Sequence, residues 1–247
     1  LYNLSSKTSV EETAEQLESP FSFNKKKTPG KSTAFEYNNF ASSVAATTLE
    51  LASGIPLEEY ASDNLFSLLG GDLSYFPGNI MDTDNLITHY DYDHSVELVP
   101  ETAKKMIFTG DIGTHPGNYI GGLTGSASDI AKMFSMLAND GVYGNNRILS
   151  EKSVEALERK YFTAKENGGK FRQCLALRYY KNLYGTDGIY YHTGNAYGIV
   201  SLASYDPVTK NTVVVMTSGA KQSRDKYGIY KICGEITKSV YKNIDNL

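Results

Sequence analysis

The most constraining feature of the sequence lies between residues 188 and 218. Gly188-Ile189-Tyr190-Tyr191-His192-Thr193-Gly194-Asn195-Ala196-Tyr197-Gly198 leads into Ile199-Val200-Ser201-Leu202-Ala203-Ser204-Tyr205. Asp206-Pro207 then marks a turn, and Asn211-Thr212-Val213-Val214-Val215-Met216-Thr217-Ser218 follows. β-Branched and aromatic residues dominate these runs, which read as a short strand, a glycine-containing corner, a longer strand, a turn and a buried strand. After them, Ile229, Ile232, Cys233, Ile236 and Val240 recur at helical spacing, predicting a helix from about 225 to 241 whose apolar face covers a sheet. A further strand is expected over 174–181, with Cys174, Ala176, Arg178 and Tyr180 facing one way.

The N-terminal half has a different rhythm. Val10 to Leu17 makes a short helix. Residues 39–53 form a helix on which Val44, Thr48 and Leu51 share a face with Phe40. Gly54 suits its C-terminus and Pro56 the first turn of the next helix, 57–68, with Leu57, Tyr60, Ala61 and Leu65 on one side. Residues 70–97 are loop-rich. Ser126 and Asp129 begin a helix that runs to Asp140, with Ile130, Met133, Phe134 and Leu137 as its apolar stripe. Ser150 caps a helix to about Lys160, with Val154 and Leu157 inward. Helices packed on an antiparallel sheet whose strands gather near the C-terminus define an α+β chain.

At 247 residues, 40% hydrophobic and 21% charged, the chain has ample material for a core. A net charge of −4 without a basic patch argues against nucleic acid as a partner. Lys25-Lys26-Lys27 reads as a solvated loop. No apolar run reaches the roughly 20 residues that span a bilayer, and no signal peptide is recognisable. Cys174 and Cys233 have no metal-binding or C-x-x-C spacing and read as buried free thiols. His89 and His94 sit among Asp82, Asp84, Asp91 and Asp93, but their spacing is not a recurrent zinc pattern. No metal or cofactor is expected.

Three blocks in order carry a resemblance: Tyr37-Asn38-Asn39 before a helix, Gly121-Gly122-Leu123-Thr124-Gly125-Ser126-Ala127-Ser128-Asp129 leading to Asn139-Asp140-Gly141-Val142-Tyr143-Gly144-Asn145-Asn146-Arg147-Ile148-Leu149-Ser150, and His192-Thr193-Gly194. Together they resemble the penicillin-binding protein and class C β-lactamase superfamily of serine hydrolases, in the branch with His-Thr-Gly where others have Lys-Thr-Gly. The resemblance implies a helical region against an antiparallel sheet, with the active-site cleft between them. It also implies roles. Tyr37 would handle a proton and the Asn39 amide would orient substrate. His192-Thr193-Gly194 would pair with the substrate backbone. Asn195, just after the glycine, would supply an oxyanion-hole N–H.

The family's nucleophile is a serine with a lysine one helical turn on, S-x-x-K, well before Tyr-x-Asn. Ser22/Lys25, Ser218/Lys221, Ser223/Lys226 and Ser239/Lys242 match the letters, but none lies in a fitting place or order. No nucleophile is therefore assigned in this chain. Leu1-Tyr2-Asn3-Leu4-Ser5-Ser6 resembles the segment that follows the nucleophile region. Residues 1–247 are thus expected to be a single β-lactamase-like domain, N-terminally incomplete, lacking the first strands and the nucleophile helix.

Two functions follow. One is acyl-enzyme hydrolysis of an amide or ester: a D-amino-acid peptide, a β-lactam or a small ester. A complementing N-terminal segment of the same protein would then supply the nucleophile, and the family resemblance implies an extracellular or cell-surface location. The other is a non-catalytic surface-binding or adhesin module that keeps the fold.

Overall fold

The computed structural model describes residues 9–20, 25–28, 31, 35, 37–110, 112–114, 117–166 and 169–244. Its helices are α1 (Ser9–Glu18), α2 (Asn39–Ser53), α3 (Leu57–Ala61), α4 (Ser67–Leu69), α5 (Pro100–Ala103), α6 (Ala127–Ala138), α7 (Glu151–Glu158) and α8 (Lys231–Asn243), with a π-helical segment Ser62–Phe66 joining α3 to α4. Two small hairpins pair β1 (His89–Tyr90) with β2 (Val96–Leu98) and β3 (Val142–Tyr143) with β4 (Asn146–Arg147). The remaining strands, β5 (Phe162–Glu166), β6 (Gly169–Gln173), β7 (Arg178–Lys181), β8 (Gly188–Ala196), β9 (Ile199–Tyr205) and β10 (Thr212–Ser218), form one sheet in the order β10-β9-β8-β7-β6-β5. Every neighbouring pair is antiparallel.

Both faces of this sheet are covered, which is why its central strands read as nearly unbroken apolar runs. Ile189 and Tyr191 of β8, Val200 and Leu202 of β9, and Val213 and Val215 of β10 pack with Ile229, Tyr230, Cys233 and Tyr241 on one face. The alternate residues Tyr190, Ala203 and Tyr205 meet Phe134, Met136, Leu137 and Ala138 of α6 on the other. The buried Tyr205 phenol donates to Glu158 Oε1 at 2.7 Å, so its polar tip is satisfied inside the layer.

Helix starts follow the expected capping chemistry. Ser126 and Asp129 form a reciprocal capping box on α6, and Ser150 caps α7. The α+β expectation, with a C-terminal helix on an antiparallel sheet, is what the structure has.

Several local expectations are corrected. On α2 the inward face is Ser43, Ala46, Thr47 and Glu50, whereas Thr48 and Leu51 point out. The face is polar because it meets backbone donors: Glu50 Oε1 accepts from Leu57 N at 2.8 Å and Oε2 from Gly113 N at 2.9 Å. The π segment after α3 inserts a residue into the helical repeat, so Phe66 turns fully inward and Leu65 only partly.

The first half of the expected strand over 174–181 is a turn. Cys174 N donates to Leu177 O at 2.8 Å, the Gln173 amide donates to Cys174 O and Leu177 O, and only Arg178–Lys181 is extended. The β5–β6 hairpin was not anticipated. α8 begins at Lys231, because the Asp225 carboxylate accepts from Tyr227 N and Ile229 N and folds residues 225–230 into a turn. Its inward residues are Cys233, Gly234, Thr237 and Tyr241, while Ile232 and Ile236 are exposed. β8 runs unbroken through Gly194, and the corner is the two-residue turn Tyr197-Gly198, both at positive φ (50° and 73°). Cys174 and Cys233 are buried and free.

Candidate functional site

A groove of about 200 Å³ is lined by Tyr37, Asn39, Arg178, His192, Thr193, Asn195, Arg224 and Tyr230. Five of the six residues singled out in the sequence therefore meet in one place, although Tyr37 and Asn195 are 158 positions apart. The sixth, Gly194, lies between two of them on β8.

Local structure explains each contribution. Asn38 is extended (φ −149°, ψ 119°), and its side chain caps α2 by accepting from Phe40 N at 2.8 Å. The cap is Asn38 and not Asn39. The middle residue of Tyr37-Asn38-Asn39 is thus committed to the helix end, which leaves the outer two for the groove. Tyr37 is half exposed, and its ring lies 5.7 Å from the Arg178 guanidinium. Arg178 is itself buried and stacks on Phe171 at 4.4 Å.

β8 contributes through a change in its neighbours. β7 pairs with it only from Gly188 to Tyr191, whereas β9 pairs with it from Tyr190 to Ala196. Past Tyr191 the β7-side edge of the strand opens onto the groove. Side chains alternate along β8, so Thr193 and Asn195 follow Tyr191 while His192 follows Tyr190. The groove takes residues from both sets because it runs along the edge. A Cβ at Gly194 would press on Ser201 Oγ across the β8–β9 ladder, so glycine leaves room there for the Ser201 hydroxyl. The Asn195 amide is held by donating to Gln222 Oε1 at 2.8 Å.

The third wall is the loop from Gly219 to Tyr230. Arg224 Nη1 donates to Gly228 O at 2.8 Å and Nη2 to the Tyr230 hydroxyl at 2.6 Å, and the guanidinium lies 4.1 Å from the Tyr230 ring centre. Arg178, Arg224 and Tyr230 were not picked out in the sequence as site residues. A charged Arg178 following the apolar run Cys174-Leu175-Ala176-Leu177 was the one available signal. Arg224 and Tyr230 reach the groove only through tertiary packing.

Among the described residues no serine, cysteine, lysine, aspartate or glutamate lines the groove. The Ser-Lys pairs lie elsewhere. Ser218 Oγ accepts from Tyr90 N at 2.7 Å and ties β1 to the end of β10. Ser223 carries its backbone oxygen to Lys231 N, and Ser239 sits on α8. Ser22 lies outside the described residues. His89 and His94 do not join a metal site: among the described residues no three His, Cys, Asp or Glu side chains gather. His89 instead packs at the Tyr197-Gly198 turn, where burial pushes its pKa down despite the hydrogen bond to the Tyr197 backbone.

The sequence profile described as Beta-lactamase matches residues 9–232. The chain belongs to the Beta-lactamase family. No curated protein matches by sequence. Solved structures with the same fold include the D-amino acid amidase from Ochrobactrum anthropi SV3 complexed with L-phenylalanine amide, at 17% identity and a TM-score of 0.65, covering 86% of this chain and 58% of that one. The octameric penicillin-binding protein homologue from Pyrococcus abyssi matches at 20% identity and a TM-score of 0.67, covering 95% and 48%. A class C β-lactamase matches at 14% identity and a TM-score of 0.62, covering 100% and 65%. The chain thus spans about half to two thirds of the length of these proteins. The α+β architecture of this Beta-lactamase family chain is class C β-lactamase-like. Among the described residues no helix is long and apolar enough to cross a membrane.

Proposed function

We propose that this chain carries the substrate-holding side of a serine-hydrolase site, for acyl transfer from an amide or ester. The observation behind this reading is the convergence of Tyr37, Asn39, His192, Thr193 and Asn195 on a groove along the open edge of β8. The neighbours' names, a D-amino acid amidase and a penicillin-binding protein homologue, point to small amides, D-peptides or β-lactams as ligands.

In the proposed reaction a serine Oγ attacks the substrate carbonyl carbon. The C–N or C–O bond breaks, and the leaving group takes a proton. Water then attacks the acyl-enzyme, releasing the acid and restoring the serine. The substrate would lie along β8 from Thr193 to Asn195, adding to the sheet edge by backbone hydrogen bonds. Asn39 and Thr193 would orient its polar groups. The Tyr37 hydroxyl would relay the proton, and the Asn195 backbone N–H would stabilise the developing oxyanion. The serine and its lysine would come from a complementing N-terminal segment outside the described residues.

A second reading rests on the same groove. Its described lining holds no serine, cysteine or lysine, which favours a module that binds a ligand of this class and leaves it intact.

Denaturing mass spectrometry after incubation with a fluorescent penicillin separates the two. A penicilloyl mass on any species in the purified protein supports the enzyme. An unmodified protein that still binds the penicillin reversibly supports the binding module. Neither adduct nor binding sinks both readings.

A further inference from the structure

We propose that the exposed face of the β5–β6 hairpin is a docking surface for an anionic phospholipid bilayer. It lies apart from the groove and does not depend on the ligand reading given above.

The sequence scatters the charges that carry this inference, and the hairpin gathers them. Residues 159–172 hold Arg159, Lys160, Lys165, Lys170 and Arg172 against one carboxylate, Glu166, in a chain whose net charge is −4. No more than two of these cations are consecutive, so no basic run stands out. In the register of the hairpin Lys165 stands directly opposite Lys170, and Thr163 opposite Arg172, which puts all four on one side of the pleat. Burial alternates accordingly. Ala164, Phe171 and Gln173 are buried on one side, whereas Tyr161, Thr163, Lys165, Lys170 and Arg172 are exposed on the other. Arg172 is in turn opposite Tyr179 of β7, and the Lys160 ammonium sits 4.0 Å from the Tyr179 ring centre, which brings Lys160 to the same face.

The positive charge is not neutralised in place. Among the described residues none of the five cations makes an ion pair. Glu158 offsets part of the Lys160 charge, but its Oε1 is taken by the Tyr205 phenol inside the layer. Arg172 is ordered by neutral oxygens only, donating to Thr163 Oγ1 at 3.0 Å and Lys160 O at 3.4 Å. Protection of an open sheet edge accounts for a lysine on the border strand β5. It does not account for Lys170 and Arg172, because β6 has a neighbour on each side.

Shape chooses the partner. The cations share one face of a hairpin, so a plane of phosphate headgroups can meet them together, whereas a linear polyanion would follow a single row. Tyr161 is 39% exposed on that face with the Arg159 guanidinium 5.9 Å from its ring centre, a pairing of amphipathic ring and cation that suits the headgroup level. Arg178, which lines the groove, is opposite the buried Gln173 and belongs to the other face of the sheet. Docking here uses none of the groove residues.

The test is co-sedimentation of the intact chain with two kinds of vesicle, phosphatidylcholine alone and an equal mixture of phosphatidylcholine and phosphatidylglycerol. The wild-type comparison needs no substitution, so it stands even if a variant misfolds. Binding is expected only to the mixed vesicles, and it should fall steeply as salt rises above about 0.15 M, where charges are screened within about 8 Å. Each cation at a headgroup surface contributes about fivefold, so the double variant Lys165→Gln/Lys170→Gln should lose about 25-fold in partitioning. Lys165→Arg/Lys170→Arg should keep it. Lys231→Gln/Lys242→Gln, which removes the same charge from α8, should stay within about twofold of wild type. Equal binding to both vesicles, no binding to either, or a Lys165→Gln/Lys170→Gln chain that binds as wild type overturns the proposal. Retention on heparin without affinity for the mixed vesicles overturns it in favour of a linear polyanion.

Discussion

The two halves of β8 differ more than any two separate elements of the molecule. From Gly188 to Tyr191 the strand pairs with β7, joined on its other side by β9 from Tyr190 onward, and its side chains are buried on both faces of the sheet. From His192 to Ala196 it keeps β9, passes beyond the reach of β7, and carries polar residues that line the groove. The lesson is economical: one strand anchors the core and then, with no break in its backbone, becomes the open edge of a groove once its neighbour stops. The groove inherits the rigidity of the core while leaving backbone groups available to a ligand.

Perturbing the two halves should give opposite results. Tyr191→Ala empties a fully buried site between the sheet and α8, with an expected cost of about 3–5 kcal/mol, read as a collapsed denaturant midpoint. Gly194→Val sits at the boundary. Its side chain would push against Ser201 and cost about 1–3 kcal/mol, and it would also weaken any ligand lying along the edge. His192→Ala and Thr193→Val should leave stability within about 0.5 kcal/mol while weakening ligand binding, so calorimetry would register what denaturation does not. If His192→Ala instead destabilised as Tyr191→Ala does, the division between the halves would be wrong.

A smaller effect tests what holds the far end of β8. The folded-state pKa of His89 is depressed, so the folded protein resists protonating it. The stability this gives is present above the ordinary value of 6.5 and is lost as pH falls from there toward the folded pKa. Thermal midpoints should therefore decline modestly between neutral and mildly acidic pH, and His89→Gln should remove that increment. An unchanged pH slope in the variant would assign the decline to other groups.

Much of this was legible in the sequence where local chemistry and packing agree. β9 and β10 show their β-branched runs because both faces are buried, and α6 and α7 announce their starts through Ser126, Asp129 and Ser150. The Tyr37, Asn39 and His192-Thr193-Gly194-Asn195 set was legible through spaced motifs, although nothing local says that they meet. What could not be read was decided by distant partners. The buried face of α2 is polar because Glu50 answers the N–H groups of Leu57 and Gly113, so a hydrophobic stripe points the wrong way. Cys174 and Leu177 look like strand residues but are the buried ends of a turn. The start of α8 was lost to Asp225, whose side chain folds the preceding residues into a loop. That same loop presents Arg224, so one missed boundary hid one wall of the site.

The strand order has a kinetic consequence. In β10-β9-β8-β7-β6-β5 every strand lies beside its neighbour in sequence, so each pairing closes a short loop and costs little chain entropy. Folding by successive hairpin closure is accordingly fast for so large a sheet. The β8–β9 hairpin, with only Tyr197 and Gly198 between its strands, is the natural place for closure to begin. The edge that lines the groove would then be among the first parts of the chain to take shape.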